Sequence, residues 1–308
     1  MATVVLSGGV GAARFLTGLV KVMDPRDITV ISNTGDDSEF YGLYVCPDID
    51  TVIYTLADMV NPQTGWGLVD DSFQALAELK ALGCETWFQL GDRDFATHIW
   101  RTMLLRQGQT LSQVTQKLAQ MRGLELTILP MSDHPVHTVL KTEMGRLAFQ
   151  EYMVKHRFQV KVDSICFEGA EKALPAPGVL EAIAGARQII IAPSNPYVSI
   201  GTILSVPGIR KALENATGKV AAISPIVGGD AIKGPAARLL SEFGQPVSPL
   251  GVAQLYQNFV DLMIVDERDR ALLPEIRALG MEAASAQTMM TSPQAKVTLA
   301  KQVLELMK

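Results

Sequence analysis

The chain has 308 residues, of which 48% are hydrophobic and 19% charged, with 27 basic and 32 acidic side chains and a formal net charge of −5. That is enough apolar material for one or two domains with a large core, and no charge run or low-complexity tract interrupts it. The acidic balance and the lack of a basic stripe exclude a nucleic-acid binder, so any phosphate must be held locally by backbone N–H groups, a few cations or a metal.

Short β-branched runs alternate with amphipathic helical patterns. A buried strand at 4–6 precedes a helix at 12–23, in which Phe15, Leu16, Leu19 and Val20 share a face. A strand at 28–32 follows, then helices at 52–59 and 71–82, a strand at 87–90, helices at 95–106 and 111–121, and a strand at 126–129. Extended, half-polar runs come next at 138–141, 146–150 and 159–163, with a hairpin turn at Met144-Gly145. Strands at 188–192, 220–224 and 262–265 and helices at 235–243, 252–259, 268–278 and 293–307 complete the chain. The alternation implies an α/β, Rossmann-like, doubly wound and mainly parallel sheet in one domain over 1–308, with a small antiparallel insert at about 136–167.

The start, Thr3-Val4-Val5-Leu6 and then glycines, has neither the basic stretch nor the apolar run of a signal peptide. The longest uncharged stretch, 188–209, is broken by Pro193, Pro196 and Pro207 and cannot span a membrane. Cys46, Cys84 and Cys166 lack CxxC spacing and read as small buried side chains in a reducing compartment. A cytoplasmic protein is expected.

In an open parallel sheet, ligands sit beyond the carboxyl ends of the strands. After the first strand comes Ser7-Gly8-Gly9-Val10-Gly11, whose backbone N–H groups, without Cβ atoms in the way, suit a phosphate at a helix N-terminus. No GK[ST] follows, and Arg14 stands where a dinucleotide fingerprint has its third glycine. After the second strand, Asp48 and Asp50 form a D-x-D pair just before a helix, able either to chelate a hard cation or to accept a hydroxyl proton; capping the helix is the plainer alternative.

Gly91-Asp92-Arg93-Asp94 reads as a site loop leading to His98 and Arg101 on one helix face, with a capped helix and a local ion pair as the alternative. Ser132-Asp133-His134 and His137 read as a polar loop lining the pocket; Pro135 argues against a metal there. Between two prolines, Ser194 and Asn195 are held rigidly for a base edge or a ribose. Gly228-Gly229 with Lys233-Gly234 forms a second candidate anion cradle.

The segments SGGVGAARFLTGL, PDIDTVIYTLAD, LGDRDFATHIWR, LPMSDHPVHT, APSNPYVSIGTIL, SPIVGGDAIKGPA and DERDRALL together resemble the 2-phospho-L-lactate transferase family of coenzyme F-420 biosynthesis, from Ser7 to Leu273. The resemblance implies a usually dimeric, magnesium-dependent enzyme. Its acceptor would be the deazaflavin Fo, attacking through its ribityl hydroxyl, and its donor a guanosine diphosphate carrying lactate or enolpyruvate, with GMP released. By motif, Asp50 would contact Fo and orient or deprotonate the hydroxyl, with Asp92 and Arg93 as further catalytic candidates. Gln89 and His98 would lie by Fo, and Asp48 with Asp50 would hold magnesium. Ser7, Gly8, Gly9 and Gly11 would face the donor phosphates; Ser194, Asn195, Gly228 and Lys233 would bind the guanosine nucleotide. His134, Gln89 and the Ala12-Ala13-Arg14 continuation depart from the commoner family pattern. A nucleotide-sugar-binding regulatory protein and a nicotinamide-dependent oxidoreductase are the rival readings; PDIDTV with GDRD argues against the first, the missing third glycine against the second.

Overall fold

The computed structural model describes residues 2–232 and 234–308. Seven strands form the central sheet, in the order Glu282–Ala286, Leu262–Asp266, Lys219–Ile223, Gln188–Ile191, Thr3–Ser7, Ile28–Ser32, Thr127–Pro130. Every neighbouring pair is parallel. The strand order runs outward in both directions from Thr3–Ser7 and Gln188–Ile191, so the winding reverses between them, and the crevice above this reversal is where doubly wound sheets take ligands.

Alternation along the strands divides the core in two. Val4, Leu6, Ile189, Ile191, Val220 and Ala222 pack on one face, Val5, Ile190, Ala221 and Ile223 on the other. The second face is covered by the helices Gly9–Leu19, Pro47–Leu56, Leu111–Met121 and Pro293–Leu306, which bring Phe15, Leu16, Ile49, Val52, Leu118 and Leu299 to it. Strands buried on both faces are apolar throughout, which is why the β-branched runs were legible.

The insert is a three-stranded antiparallel sheet with His137–Thr142 between Gly145–Ala148 and Val162–Glu168, ending one residue past the expected span. Its hairpin turns at Glu143-Met144, one residue earlier than expected, with Gly145 at φ 99°. Tyr152, Val160 and Val162 pack with Val198 and Leu239, which holds the insert above the strand ends.

The structure corrects the sequence reading in several places. Residues 87–90 form no strand: Phe88 stacks on Phe40 at 3.7 Å, Leu90 joins Val45, Leu76 and Phe95 in a small side cluster, and side-chain burial alone explains the apolar run. The edge strand Glu282–Ala286 and the hairpin Ser38–Phe40 with Leu43–Val45 were missed, the first because its EAASA sequence has no β-branched residue. The helix of the D-x-D segment starts at Pro47, as proline at a first helical position favours, so Asp48 and Asp50 lie inside its first turn and not before it. Of the three free cysteines, all expected to be buried, only Cys46 is; Cys84 and Cys166 are exposed. No helix among the described residues is long and apolar enough to cross a membrane.

Candidate active site

A cavity of about 220 Å³ opens above the sheet reversal. Gly8, Gly9 and Gly11 border it from the first strand, Asp36 and Asp48 from the second, and Pro193, Ser194, Asn195 and Ser199 from the fourth. Pro225, Ile232 and Gly234 follow the fifth strand, and Phe149 and Met153 descend from the insert.

The glycines serve geometry more than open donation. Gly9 has φ 65°, a backbone conformation that an L side chain resists. A Cβ on Gly11 would strike the Pro193 carbonyl oxygen, so a bare backbone lets the helix sit against the neighbouring strand end. Gly8 N–H donates to Ser194 Oγ at 3.2 Å, and Ser194 Oγ–H donates back to the Gly8 carbonyl at 3.0 Å. The Ser194 hydroxyl thus ties two strand ends together, where the sequence suggested it was offered to a nucleotide. Gly9 N–H is held by Asp48. Ser7 is buried at the strand end, its Oγ unpartnered, and does not border the cavity.

Asn195 Oδ1 accepts the N–H groups of Tyr197 (2.9 Å) and Val198 (3.3 Å), capping the turn Pro196–Ile200, while its Nδ2 is buried without a partner. Gly228 N–H donates to Asp269 Oδ2 at 2.9 Å, so it is not free for an anion. Lys233 lies outside the described residues.

The acidic side of the cavity is formed by Asp36 and Asp48, both buried. Asp48 Oδ2 accepts from Asn33 Nδ2 at 2.9 Å. Asp36 Oδ1 is buried with no hydrogen-bond partner. Burial pushes the Asp48 carboxyl up to about 6. Burial, then the charges of Asp48 and Asp37, push Asp36 well above the usual carboxylate range. Among the described residues, no three His, Cys, Asp or Glu side chains form a metal-binding group. Two carboxylates would still serve a magnesium ion that takes its other ligands from phosphates and water.

Asp50, the other half of the D-x-D pair, turns elsewhere, because two residues along a helix is more than half a turn. Arg101 Nη1 donates to its Oδ2 at 3.0 Å and Nη2 to its Oδ1. Arg101 Nη1 is also 3.1 Å from His98 Nδ1, His98 Nε2 lies 3.2 Å from Asp94 Oδ1, and Tyr54 O–H donates to the same oxygen at 2.7 Å. Arg101 and His98 are each 1% exposed, which leaves neither open to a substrate. Burial pulls the Arg101 guanidinium down, but the facing Asp50 carboxylate overrides it and keeps it charged. This chain of charges locks the helix Pro47–Leu56 to the helix Asp92–Arg106.

Neither Asp50 nor His98 borders the cavity, and Gln89 is exposed outside the sheet. Asp92 accepts from Ser72 Oγ (2.5 Å) and from the N–H groups of Gln74 (3.1 Å) and Ala75 (2.9 Å), capping the helix Gln74–Ala81; these bonds hold its carboxyl low. Arg93 is exposed and donates to the Val69 carbonyl at 2.8 Å. In this geometry Asp50, Asp92 and Arg93 are each held by partners within the protein, and none of them borders the cavity. Asp133 accepts from Ser112 N–H (2.6 Å) and Oγ (2.8 Å), and His134 Nδ1 accepts from Leu174 N–H at 2.9 Å, so that loop does not line the cavity.

The sequence reading named Asp36 and Arg14 but gave neither a role in the site. Asp36 stands four residues after the strand Ile28–Ser32, in the strand-end region that singled out the other residues. Arg14, half-buried on the helix that follows the glycines, borders the cavity. A second cavity of about 430 Å³ lies under the segment 61–73 and touches Asp94.

The 2-phospho-L-lactate transferase CofD family model matches residues 3–301. A phosphoenolpyruvate transferase of Streptomyces griseus is 47% identical over 99% of this chain and 98% of its own length. A 2-phospho-L-lactate transferase of Methanosarcina mazei is 40% identical over 98% and 99%. A crystal structure of a UPF0052 family member from Bacillus halodurans shares the fold, with a TM-score of 0.66, 17% identity and 98% of both chains covered. With its full length matched by transferases and its glycine-loop cavity at the sheet reversal, the chain belongs to the 2-phospho-L-lactate transferase family.

Proposed function

We propose that this enzyme moves a phospholactyl or phosphoenolpyruvyl group from a guanosine-diphosphate-linked donor to the ribityl hydroxyl of the deazaflavin Fo, in coenzyme F-420 biosynthesis. The ribityl oxygen bonds to the donor's terminal phosphorus as the bond from that phosphorus to the bridging oxygen of GMP breaks. Positioning and charge neutralisation carry such a transfer without a covalent nucleophile.

The observation that supports this reading most is the meeting of Gly9, Asp36, Asp48 and Asn195 around one cavity. The Gly9–Leu19 helix directs the positive end of its dipole at this cavity, and Asn195 Nδ2 is buried without a partner. Asp36 and Asp48 would hold magnesium, whose charge would neutralise the phosphates; the orphaned Asp36 Oδ1 and the mutual repulsion of the two carboxylates fit a bound cation. Asp48, anchored by Asn33 and Gly9, is positioned before any ligand arrives.

The test is to incubate the protein with Fo, magnesium and each guanylated donor and to detect the condensed product and GMP by mass. Product with one donor only would identify the acid. No product and no GMP with either donor would overturn the proposal.

A further inference from the structure

We propose that Arg14 is a substrate-binding residue, its guanidinium gripping an oxyanion of the donor, phosphate or carboxylate; this rests on the donor site described above. Arg14 borders the cavity. Among the described residues, nothing accepts a hydrogen bond from its guanidinium and no carboxylate pairs with it. Only its backbone is engaged, the carbonyl accepting from Thr17 Oγ1 at 2.6 Å. Lys296 lies close enough to feel its positive charge as a repulsion.

Arg14 stands five residues beyond Gly9, about 7.5 Å along the helix axis at 1.5 Å per residue. Side chains on a helix lean toward its N-terminus, and an arginine is long enough to return that distance toward the glycine turn. The cavity it faces carries Asp36 and Asp48, which repel an anionic donor. A guanidinium offers a planar fork of donors matched to phosphate or carboxylate, and a half-buried one with no acidic partner is set to receive it. Arg101 is the control within the same molecule: its fork is closed by Asp50.

The experiment compares the wild type with Arg14→Gln and Arg14→Lys by calorimetric titration with GDP, GMP, inorganic pyrophosphate and the full guanylated donor, with magnesium present. Thermal unfolding checks that the variants are folded. Arg14→Gln is expected to weaken at least one anionic ligand by about tenfold to a hundredfold, and Arg14→Lys by less. Loss for GDP and pyrophosphate with GMP unchanged assigns the contact to the terminal phosphate. Equal loss for GDP and GMP assigns it to the inner phosphate. Loss confined to the full donor assigns it to the acid's carboxylate. Affinities within twofold of wild type for all four ligands overturn the proposal. Should wild-type protein bind pyrophosphate but not GDP, the guanosine reading fails while the pyrophosphate arm still decides the role of Arg14; binding of neither overturns both.

Discussion

Two acidic regions lie side by side in this molecule and are built in opposite ways. In the wall between the helices Pro47–Leu56 and Asp92–Arg106, Asp50, Arg101, His98, Asp94 and Tyr54 meet partner to partner. In the cavity, Asp36 Oδ1 and Asn195 Nδ2 have no partner, and among the described residues no carboxylate pairs with Arg14. The charged groups of the wall are turned on one another, whereas the cavity keeps a buried acceptor and a buried donor without partners. Two positions apart in one D-x-D motif, Asp48 borders the cavity while Asp50 is turned to Arg101.

Breaking the closed network should have the largest effect. Asp50→Asn leaves the Arg101 guanidinium buried without its counter-charge, and a loss of about 3–5 kcal/mol in urea-unfolding stability is expected. A variant as stable as the wild type would show that the pair does not hold the helices together. Asp36→Asn should do the reverse: unfolding stability equal to or above wild type, because a repelled buried charge is removed, with magnesium-dependent GDP binding weakened at least tenfold in titration.

The pH dependence follows from Asp48, whose carboxyl is held at about 6 in the fold against 3.8 when free. An acid raised in the folded state contributes stability at low pH that is lost as pH climbs through about 4 to 6, while a cation needing the carboxylate binds more tightly across that interval. Magnesium affinity measured from pH 5 to 7.5 should therefore rise with pH; a flat profile would remove Asp48 from the cation site. The smallest effect is expected at Asp92→Ala, which removes a helix cap and costs about 1 kcal/mol of stability with turnover unchanged. A turnover loss larger than the stability loss explains would restore Asp92 to the site.

Much of this was legible in the residues. Hydrophobic runs bounded by Gly, Pro and Asp marked six of the seven sheet strands, since a parallel strand buried on both faces must be apolar. Glu282–Ala286, an edge strand of small residues, carried no such mark. The cavity glycines and Asn195 were found because strand ends are where doubly wound sheets bind. What could not be read was pairing. Arg101 lies 51 positions from Asp50, and nothing local to PDIDTV announces that its second aspartate is taken. Asp92 looked catalytic because its capping partners, Ser72 to Ala75, lie some twenty residues back along the chain.

The most direct test is a crystal structure of the protein with GDP and magnesium. The account requires the diphosphate beside Gly9 and Arg14, the ion between Asp36 and Asp48, and Asp50 still joined to Arg101. A nucleotide bound under the segment 61–73, or an ion held by Asp50 with Arg101 released, would contradict it.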